Sequence, residues 1–181
     1  VIKEEIIPLT EVGVKAGNKM FGAAILDSDL KTIHADTNFE KICPLFHGEV
    51  KCIYSWSQQV PADQRQPVAQ SSIFLSTHEP CCMCISSILW SGFNKVYYSF
   101  PNTITAQQGI PYDIQTMHEL WGVNSYRKQN SYLSTGCILD LIEALPDSDD
   151  KTELKAMEKD VMDAYDKIAA AQDVSSMVQA S

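Results

Sequence analysis

The stretch SIFLSTHEPCCMCISSILWSGFNKVYYSF, residues 72–100, decides the fold. Residues 72–76 form a compact apolar run, which predicts a buried strand, and residues 77–80 predict a turn. A helix is expected over about 81–91, because a glycine follows it. Residues 95–100 are rich in β-forming side chains and come so soon afterwards that this second strand should run parallel to the first. The stretch therefore predicts an α/β fold.

Upstream of this unit, hydrophobic periodicity predicts four further elements. Residues 1–17 space their apolar side chains at helical intervals, although a proline would kink or delay the helix. Residues 21–26 and 31–36 predict a β-hairpin, and residues 47–59 predict a helix. The polar residues 61–70 are expected to form a loop.

Downstream of the unit, the pattern is weaker. Residues 101–111 are bounded by prolines and predict a loop, and residues 114–121 predict a short helix. A last strand is expected within 125–133, before a helix around 138–145.

Chain length and periodicity predict the domain organisation. With 181 residues, the chain can bury one substantial core but hardly two. We expect a domain over 1–146 and, over 147–181, an acidic amphipathic helix followed by a tail. Apolar residues repeat every three to four positions in that helix at Leu154, Met157, Val161 and Ile168. The periodicity leaves open whether the helix covers a pocket of its own chain, crosses to a neighbour or packs on the sheet.

The charge balance bears on possible partners. The chain carries 23 acidic and 14 basic residues, a formal net charge of −9. A phosphate backbone would meet net repulsion, so nucleic acid is not the expected partner. No run approaches the roughly 20 apolar residues that a membrane helix needs, and no apolar run typical of a secretory signal opens the sequence. We expect a cytoplasmic protein with no membrane partner.

The cysteines favour a metal site over disulfides. Three of the six cysteines, Cys81, Cys82 and Cys84, crowd into one short run with ligand-like spacing. The others are isolated from one another in apolar surroundings, where a free cysteine behaves as a small hydrophobe.

A catalytic zinc site is predicted from one histidine and two of these cysteines. Such zinc takes three protein ligands and keeps a fourth position for water, and His47, Cys81 and Cys84 supply that set. Two cysteines three residues apart at a helix start share one face, and the helix N-terminus favours thiolates. A closed structural site would need a fourth ligand, but Cys82 lies about 100° around the helix from its neighbour.

Glu49 is the predicted proton carrier. It lies two residues after His47 at the start of the other helix, so its carboxylate can reach water at the metal without being a ligand. A carboxylate placed there can take a proton from activated water and pass it to a leaving amine.

Two motifs carry a family resemblance. His47-Gly48-Glu49 and Pro80-Cys81-Cys82-Met83-Cys84 match the H-x-E and P-C-x-x-C signature of zinc deaminases. Over about residues 6–145 the chain resembles the cytidine and deoxycytidylate deaminase superfamily. The resemblance implies a three-layer α-β-α sandwich with a central mixed sheet of about five strands, and a homodimer. It also implies a Zn²⁺-dependent deaminase that acts on a small nucleobase or nucleoside.

The resemblance suggests substrate contacts but leaves the substrate open. Asn38 stands where similar deaminases have a substrate-holding asparagine. Gly48 replaces the usual alanine of many members and resembles fungal cytosine deaminase. The loop that ends at Asp113 resembles that of guanine deaminase, and Asp113 is a candidate contact to the base. The substrate is therefore expected to be guanine-like or cytosine-like. Aromatic residues available to stack on a planar ring are Phe21, Trp90, Phe100, Tyr112 and Trp121.

Two alternative functions remain. A tRNA adenosine deaminase is possible by resemblance, although the acidic chain lacks the basic surface expected for RNA. A non-catalytic zinc-binding subunit with a deaminase fold belongs to another class, and the presence of Glu49 argues against it.

Overall fold

One mixed sheet organises the computed structural model, which describes residues 1–171. Its strands are β1 (Gly22–Leu26), β2 (Thr32–Thr37), β3 (Ile73–His78), β4 (Lys95–Phe100) and β5 (Ser134–Cys137). They lie in the order β2-β1-β3-β4-β5. β1 is antiparallel to β2 and β3, whereas β4 runs parallel to both β3 and β5. The predicted α/β fold with a mixed sheet of about five strands is confirmed.

Helices cover both faces of the sheet. They are α1 (Ile7–Lys15), α2 (Gly48–Gln59), α3 (Ala62–Ser71), α4 (Cys82–Trp90), α5 (Asn102–Gln107), α6 (Tyr112–Trp121), α7 (Ile138–Glu143) and α8 (Asp149–Ala170). A five-residue π-helix, Ile2–Ile6, precedes α1, and the proline at the start of α1 is tolerated in the first turn. This three-layer arrangement is the one that the resemblance implied.

Successive side chains along β1 point alternately into two hydrophobic cores, one on each face of the sheet. Ala23 and Ile25 point into a core shared with α2, α3 and α4. Ala24 and Leu26 point to the opposite face, where Ile6 packs against them. Because successive strand side chains face opposite sides, a strand covered on both faces must be apolar throughout.

One predicted loop is a helix. Residues 61–70 fold mostly as α3, whose Ala69 is fully buried. The segment is rich in Ala and Gln, which favour helix, and Pro61 occupies the N-cap position. The high polarity of the segment reflects a helix that is largely exposed and buries little surface.

Three other predictions were wrong in detail. The predicted loop 101–111 contains α5. The last strand is β5 at Ser134–Cys137 and not within 125–133. Its residue Gly136 lies under the Tyr97 ring, whose Cε1 atom would be 2.9 Å from an added Cβ. β3 continues through His78, where a turn was expected.

α8 packs against its own chain. The Ser148 side chain caps its start by accepting a hydrogen bond from the Lys151 amide. Val161, Tyr165 and Ile168 are buried in a core shared with α1. The tail predicted after this helix lies, from residue 172 onward, outside the described residues. Over residues 1–171, the structure has no helix long and apolar enough to cross a membrane.

Candidate active site

Two helix starts bring the predicted metal ligands together. His47 is the N-cap residue of α2, and Cys81 is the N-cap residue of α4. The candidate ligand atoms of His47, Cys81 and Cys84 all lie within 4.8 Å of one another. His47 Nδ1 is 3.7 Å from Cys81 Sγ and 3.6 Å from Cys84 Sγ.

These separations fit a tetrahedral zinc ion. Zinc–nitrogen bonds of about 2.0–2.1 Å and zinc–sulfur bonds of about 2.3 Å place neighbouring ligand atoms about 3.6 Å apart. The observed nitrogen–sulfur distances match this spacing without rearrangement. Cys82 lies outside the cluster and lines the neighbouring cavity instead, so the closed four-ligand alternative gains no support from it.

The pKa shifts of the two cysteine thiols are also consistent with a cation bound between them. A hydrogen bond from Cys84 lowers the pKa of the Cys81 thiol to about 4 despite its burial, and His47 adds to this effect. Burial raises the pKa of the Cys84 thiol well above its ordinary value. Two thiolates this close would repel each other, and a divalent cation between them removes that repulsion.

Close backbone packing positions the His47 end of α2. A Cβ atom added to Gly48 would lie 2.8 Å from both Gly22 Cα and Phe21 O, so the helix start touches the β1 backbone. Asn38 Oδ1 accepts a hydrogen bond from the Gly48 amide, and Asn38 Nδ2 donates to Glu40 at 2.9 Å. Glycine at position 48 therefore has a packing reason.

Glu49 lies beside the cluster in a buried position. Only 4% of its surface is exposed, and the Ser76 hydroxyl donates to its Oε1 at 3.0 Å. Burial raises the pKa of Glu49, and the nearby Cys81 sulfur adds to the effect. A carboxyl group whose pKa is raised in this way is suited both to take and to return a proton.

A cavity of about 340 Å³ opens onto the cluster. Its lining includes Phe21, Tyr112 and His78 as flat side chains, and Asp113 as a second carboxyl group. Burial raises the pKa of Asp113 to about 7, and the charges of Cys81 and Glu49 contribute to the shift. The cavity thus combines three candidate metal ligands, two carboxyl groups with raised pKa values and aromatic walls.

A family model for the cytidine and deoxycytidylate deaminase zinc-binding region matches residues 4–100, more than half of the chain and all of the cluster. The chain belongs to the cytidine and deoxycytidylate deaminase family. The match ends before Asp113, β5 and α8. What is said of these three features therefore rests on the structure and not on the family model. A search of curated proteins gives no match.

Solved structures share the deaminase fold with this chain. Guanine deaminase from Bacillus subtilis is 20% identical with a TM-score of 0.52, and the match covers 84% of this chain and 88% of that one. Guanine deaminase from Nitrosomonas europaea is 17% identical with a TM-score of 0.54, covering 85% and 81%. At these identities the likeness establishes the fold.

Among the other predicted residues, the structure places Asp113 on the cavity wall. Asn38 and Gly48 lie behind the wall, where they hold the start of α2 in place. Of the aromatic candidates, Phe21 and Tyr112 line the cavity, whereas Phe100 is fully buried in the core. Trp90 is 86% exposed and Trp121 is 61% exposed, so neither contributes to this deaminase cavity.

Sequence reasoning missed three residues of the site. Ser76 orients Glu49 from β3, Lys19 reaches the cavity from the loop before β1, and His78 forms part of its wall. The alternation of β3 offers a signal for Ser76 and His78, because both share the strand face that meets α2. No local pattern marks Lys19.

Proposed function

We propose that this chain is a zinc-dependent hydrolytic deaminase that converts an amino-bearing nucleobase or nucleoside, guanine-like or cytosine-like, to the oxo product and ammonia. One observation carries the proposal: a three-ligand metal cluster and the buried carboxyl group of Glu49 meet at the same cavity. Zinc held by one histidine and two cysteines supplies Lewis-acid activation of water near neutral pH.

Glu49 moves the protons in the proposed reaction. The substrate carbon that bears the amine gains a bond to the oxygen of water and loses its bond to nitrogen. Glu49 takes the two protons of the attacking water in turn and delivers one to the ring nitrogen beside the reacting carbon and the other to the departing amine, so the oxygen stays as the oxo group and the amine leaves as ammonia. The Ser76 hydroxyl fixes one carboxyl oxygen of Glu49 during both transfers. The raised pKa of Glu49 suits this role, because the same group must act first as base and then as acid.

The cavity suits a single planar base. A volume of about 340 Å³ lies at the small end of ligand pockets, and Phe21 and Tyr112 offer ring surfaces for stacking. Asp113, with a pKa of about 7, can accept a hydrogen bond from a ring or exocyclic N–H. The two similar solved structures are guanine deaminases, which supports a guanine-like substrate. Asn38 and Gly48 would affect substrate binding indirectly, because they hold the start of α2 in place.

The alternatives receive less support. The net charge of −9 disfavours a tRNA adenosine deaminase. A non-catalytic zinc-binding subunit would have no use for a buried, hydrogen-bonded Glu49 facing the cavity. The homodimer remains a proposal, which light scattering of the purified chain tests.

Ammonia release tests the proposal directly. The zinc-loaded protein is assayed against guanine, guanosine, cytosine, cytidine, deoxycytidylate, adenine and adenosine. Glu49→Gln should keep one zinc per chain by metal analysis and lose turnover, because it removes the proton carrier and no ligand. Glu11→Gln, which neutralises an exposed carboxylate on α1, is the matched control and should keep full activity. Retained turnover in Glu49→Gln would refute the mechanism.

A further inference from the structure

His78 is a buried polar group in the cavity wall that the proposed reaction does not use. It closes β3, and only 3% of its surface is exposed. The rings of Phe21 and Tyr165 meet it edge-on with centroids 4.9 and 5.0 Å away, and the Phe100 ring lies 5.0 Å away. Tyr165 belongs to α8, so this helix of the same chain supports the cavity wall from behind.

A hydrogen-bonded chain also joins His78 to α8. His78 Nε2 is 3.1 Å from Gln108 Oε1, and Gln108 Nε2 donates to Asp166 Oδ1 at 3.1 Å. An ionised carboxylate can only accept, so Asp166 requires the amide nitrogen of Gln108 to face it. The Gln108 oxygen then faces His78, and an oxygen acceptor requires a proton on His78 Nε2.

The other ring nitrogen of His78 faces the Thr77 hydroxyl, which accepts a hydrogen bond from the Gly22 amide at 3.2 Å and also interacts with the Tyr165 hydroxyl. Thr77 Oγ1 lies 3.1 Å from His78 Nδ1 and 3.1 Å from the Gly22 carbonyl oxygen. Burial lowers the pKa of His78 to about 4, so the ring is neutral near pH 7 and carries one proton. With that proton on Nε2, Thr77 donates to Nδ1. With it on Nδ1, Thr77 accepts from the ring and donates to Gly22.

We propose that Asp166, acting through Gln108, is a positioning residue that holds His78 in the tautomer with its proton on Nε2. The choice of tautomer decides whether the Thr77 hydroxyl bonds to His78 or to the Gly22 carbonyl. Gly22 is the residue against which Gly48 packs, and Gly48 lies between His47 and Glu49 in the chain. α8 thereby acts on the cavity wall and, through the Thr77 hydroxyl proton, on the Gly22 carbonyl beside the start of α2.

The tautomer of His78 is a direct readout that needs no substrate. Long-range ¹H–¹⁵N spectra of the zinc-loaded protein distinguish the two neutral tautomers by their nitrogen shifts, and the four histidines are assigned by single substitutions. Wild type should show the Nε2–H form of His78. Asp166→Asn keeps nearly the same shape but adds an N–H donor. The Gln108 amide can then turn its oxygen towards residue 166 and its nitrogen towards His78 Nε2, so the Nδ1–H form of His78 should appear. Asp166→Glu keeps an acceptor-only group and should retain the wild-type form.

Asp163→Asn is the matched control on the same helix. Asp163 pairs with Lys159 at 2.7 Å on the exposed surface, so this change should leave His78 unaffected. A wild-type Nδ1–H form, or an Asp166→Asn spectrum identical to wild type, would overturn the proposal.

The kinetic readout rests on the proposed function. With the substrate that ammonia release identifies, Asp166→Asn should raise KM about fivefold, the effect of one reoriented hydrogen bond, and change kcat less. Asp166→Glu should restore the wild-type KM. Equal KM values for wild type and Asp166→Asn would count against the positioning role. If no compound of the panel is deaminated, the proposed function fails, while the tautomer populations still decide the role of Asp166.

Discussion

Gly48→Ala should destabilise the protein because its new methyl group meets backbone on the facing strand. The added Cβ would lie 2.8 Å from Gly22 Cα and Phe21 O, whereas ordinary contacts begin at 3.4 Å. The start of α2 and the start of β1 must then separate by about 0.6 Å, and overpacking of this kind costs about 1–3 kcal/mol. For a domain of this size, the melting temperature should fall by about 2–12 °C.

Scanning calorimetry of the zinc-loaded protein measures this change, with Gly13→Ala as the matched control. A Cβ at Gly13 would meet Thr37 Cγ2 at 3.1 Å, a contact with one side chain that needs a shift of only a few tenths of an ångström. Alanine also favours the helix interior, so this control should change stability by about 1 kcal/mol or less. Gly48→Ala should in addition weaken zinc binding in a chelator competition, because it displaces His47. If Gly48→Ala melts at or above the wild-type temperature, the packing argument is wrong.

Ser76→Ala removes the hydroxyl that holds Glu49 and should lower kcat about tenfold with zinc content unchanged, as activity and metal analysis will show. The pKa of Asp113 is raised to about 7, so its protonated form stabilises the folded state. This contribution is complete below about pH 4 and is lost as the pH rises through 7. Asp113→Asn should therefore flatten the fall in stability between pH 5 and 8, measured by urea unfolding. Removal of the residues after Pro146 takes away the buried Tyr165 and should lower the melting temperature or abolish cooperative melting; unchanged melting and unchanged mass in light scattering would contradict this.

The metal cluster was predictable because its chemistry is local in sequence. Cys81 and Cys84 are three residues apart at a helix start, and that spacing alone places two sulfurs on one side of the helix. His47 precedes Glu49 by two residues, so one helix start supplies both a ligand and a proton carrier. β3 and β4 were predictable because they are covered on both faces and are therefore apolar runs.

The missed elements lack such local signals. α3 buries little surface, so its composition is that of an exposed segment, and polarity suggested a loop. β5 is four residues long and contains a glycine, whereas the preceding residues 125–133 carry more strand-like side chains. Its pairing with β4 depends on contacts between residues far apart in the chain, which periodicity cannot supply.

The cavity walls were predictable only in part, because local sequence could not separate the candidate residues that line the cavity from those that do not. Phe21, Tyr112 and Asp113 come from loops or helix starts that the sheet order brings together. His78 was expected in a turn, but it closes β3 and pairs with Phe100 on β4. Tertiary contacts, and not local propensity, give these residues their roles.

Two glutamates line the cavity, and their partners explain why we propose Glu49 and not Glu79 as the proton carrier. Glu79 is ion-paired to Lys128 and accepts a hydrogen bond at 3.1 Å from the Asn102 amide. Lys128 in turn lies over the rings of Tyr98 and Tyr126, with its Nζ 5.2 and 4.2 Å from their centroids. The carboxylate of Glu79 is therefore engaged on both oxygens, one by a cation and the other by a backbone amide, and this fixes its position.

Glu49 has the opposite surroundings. Among residues 1–171 it forms no ion pair with lysine or arginine, and its hydrogen-bond partners are the Ser76 hydroxyl, its own backbone amide and the Cys84 side chain. Burial raises the pKa of Glu49 and outweighs the opposing charge of His47, so the carboxyl group binds a proton more readily than an exposed one. Replacing each glutamate by glutamine should therefore have different effects. Glu49→Gln should lose turnover and keep its fold. Glu79→Gln should lower stability, because it leaves Lys128 without its carboxylate partner. In this proposal, Glu49 takes part in the chemistry of the cavity and Glu79 stabilises its structure.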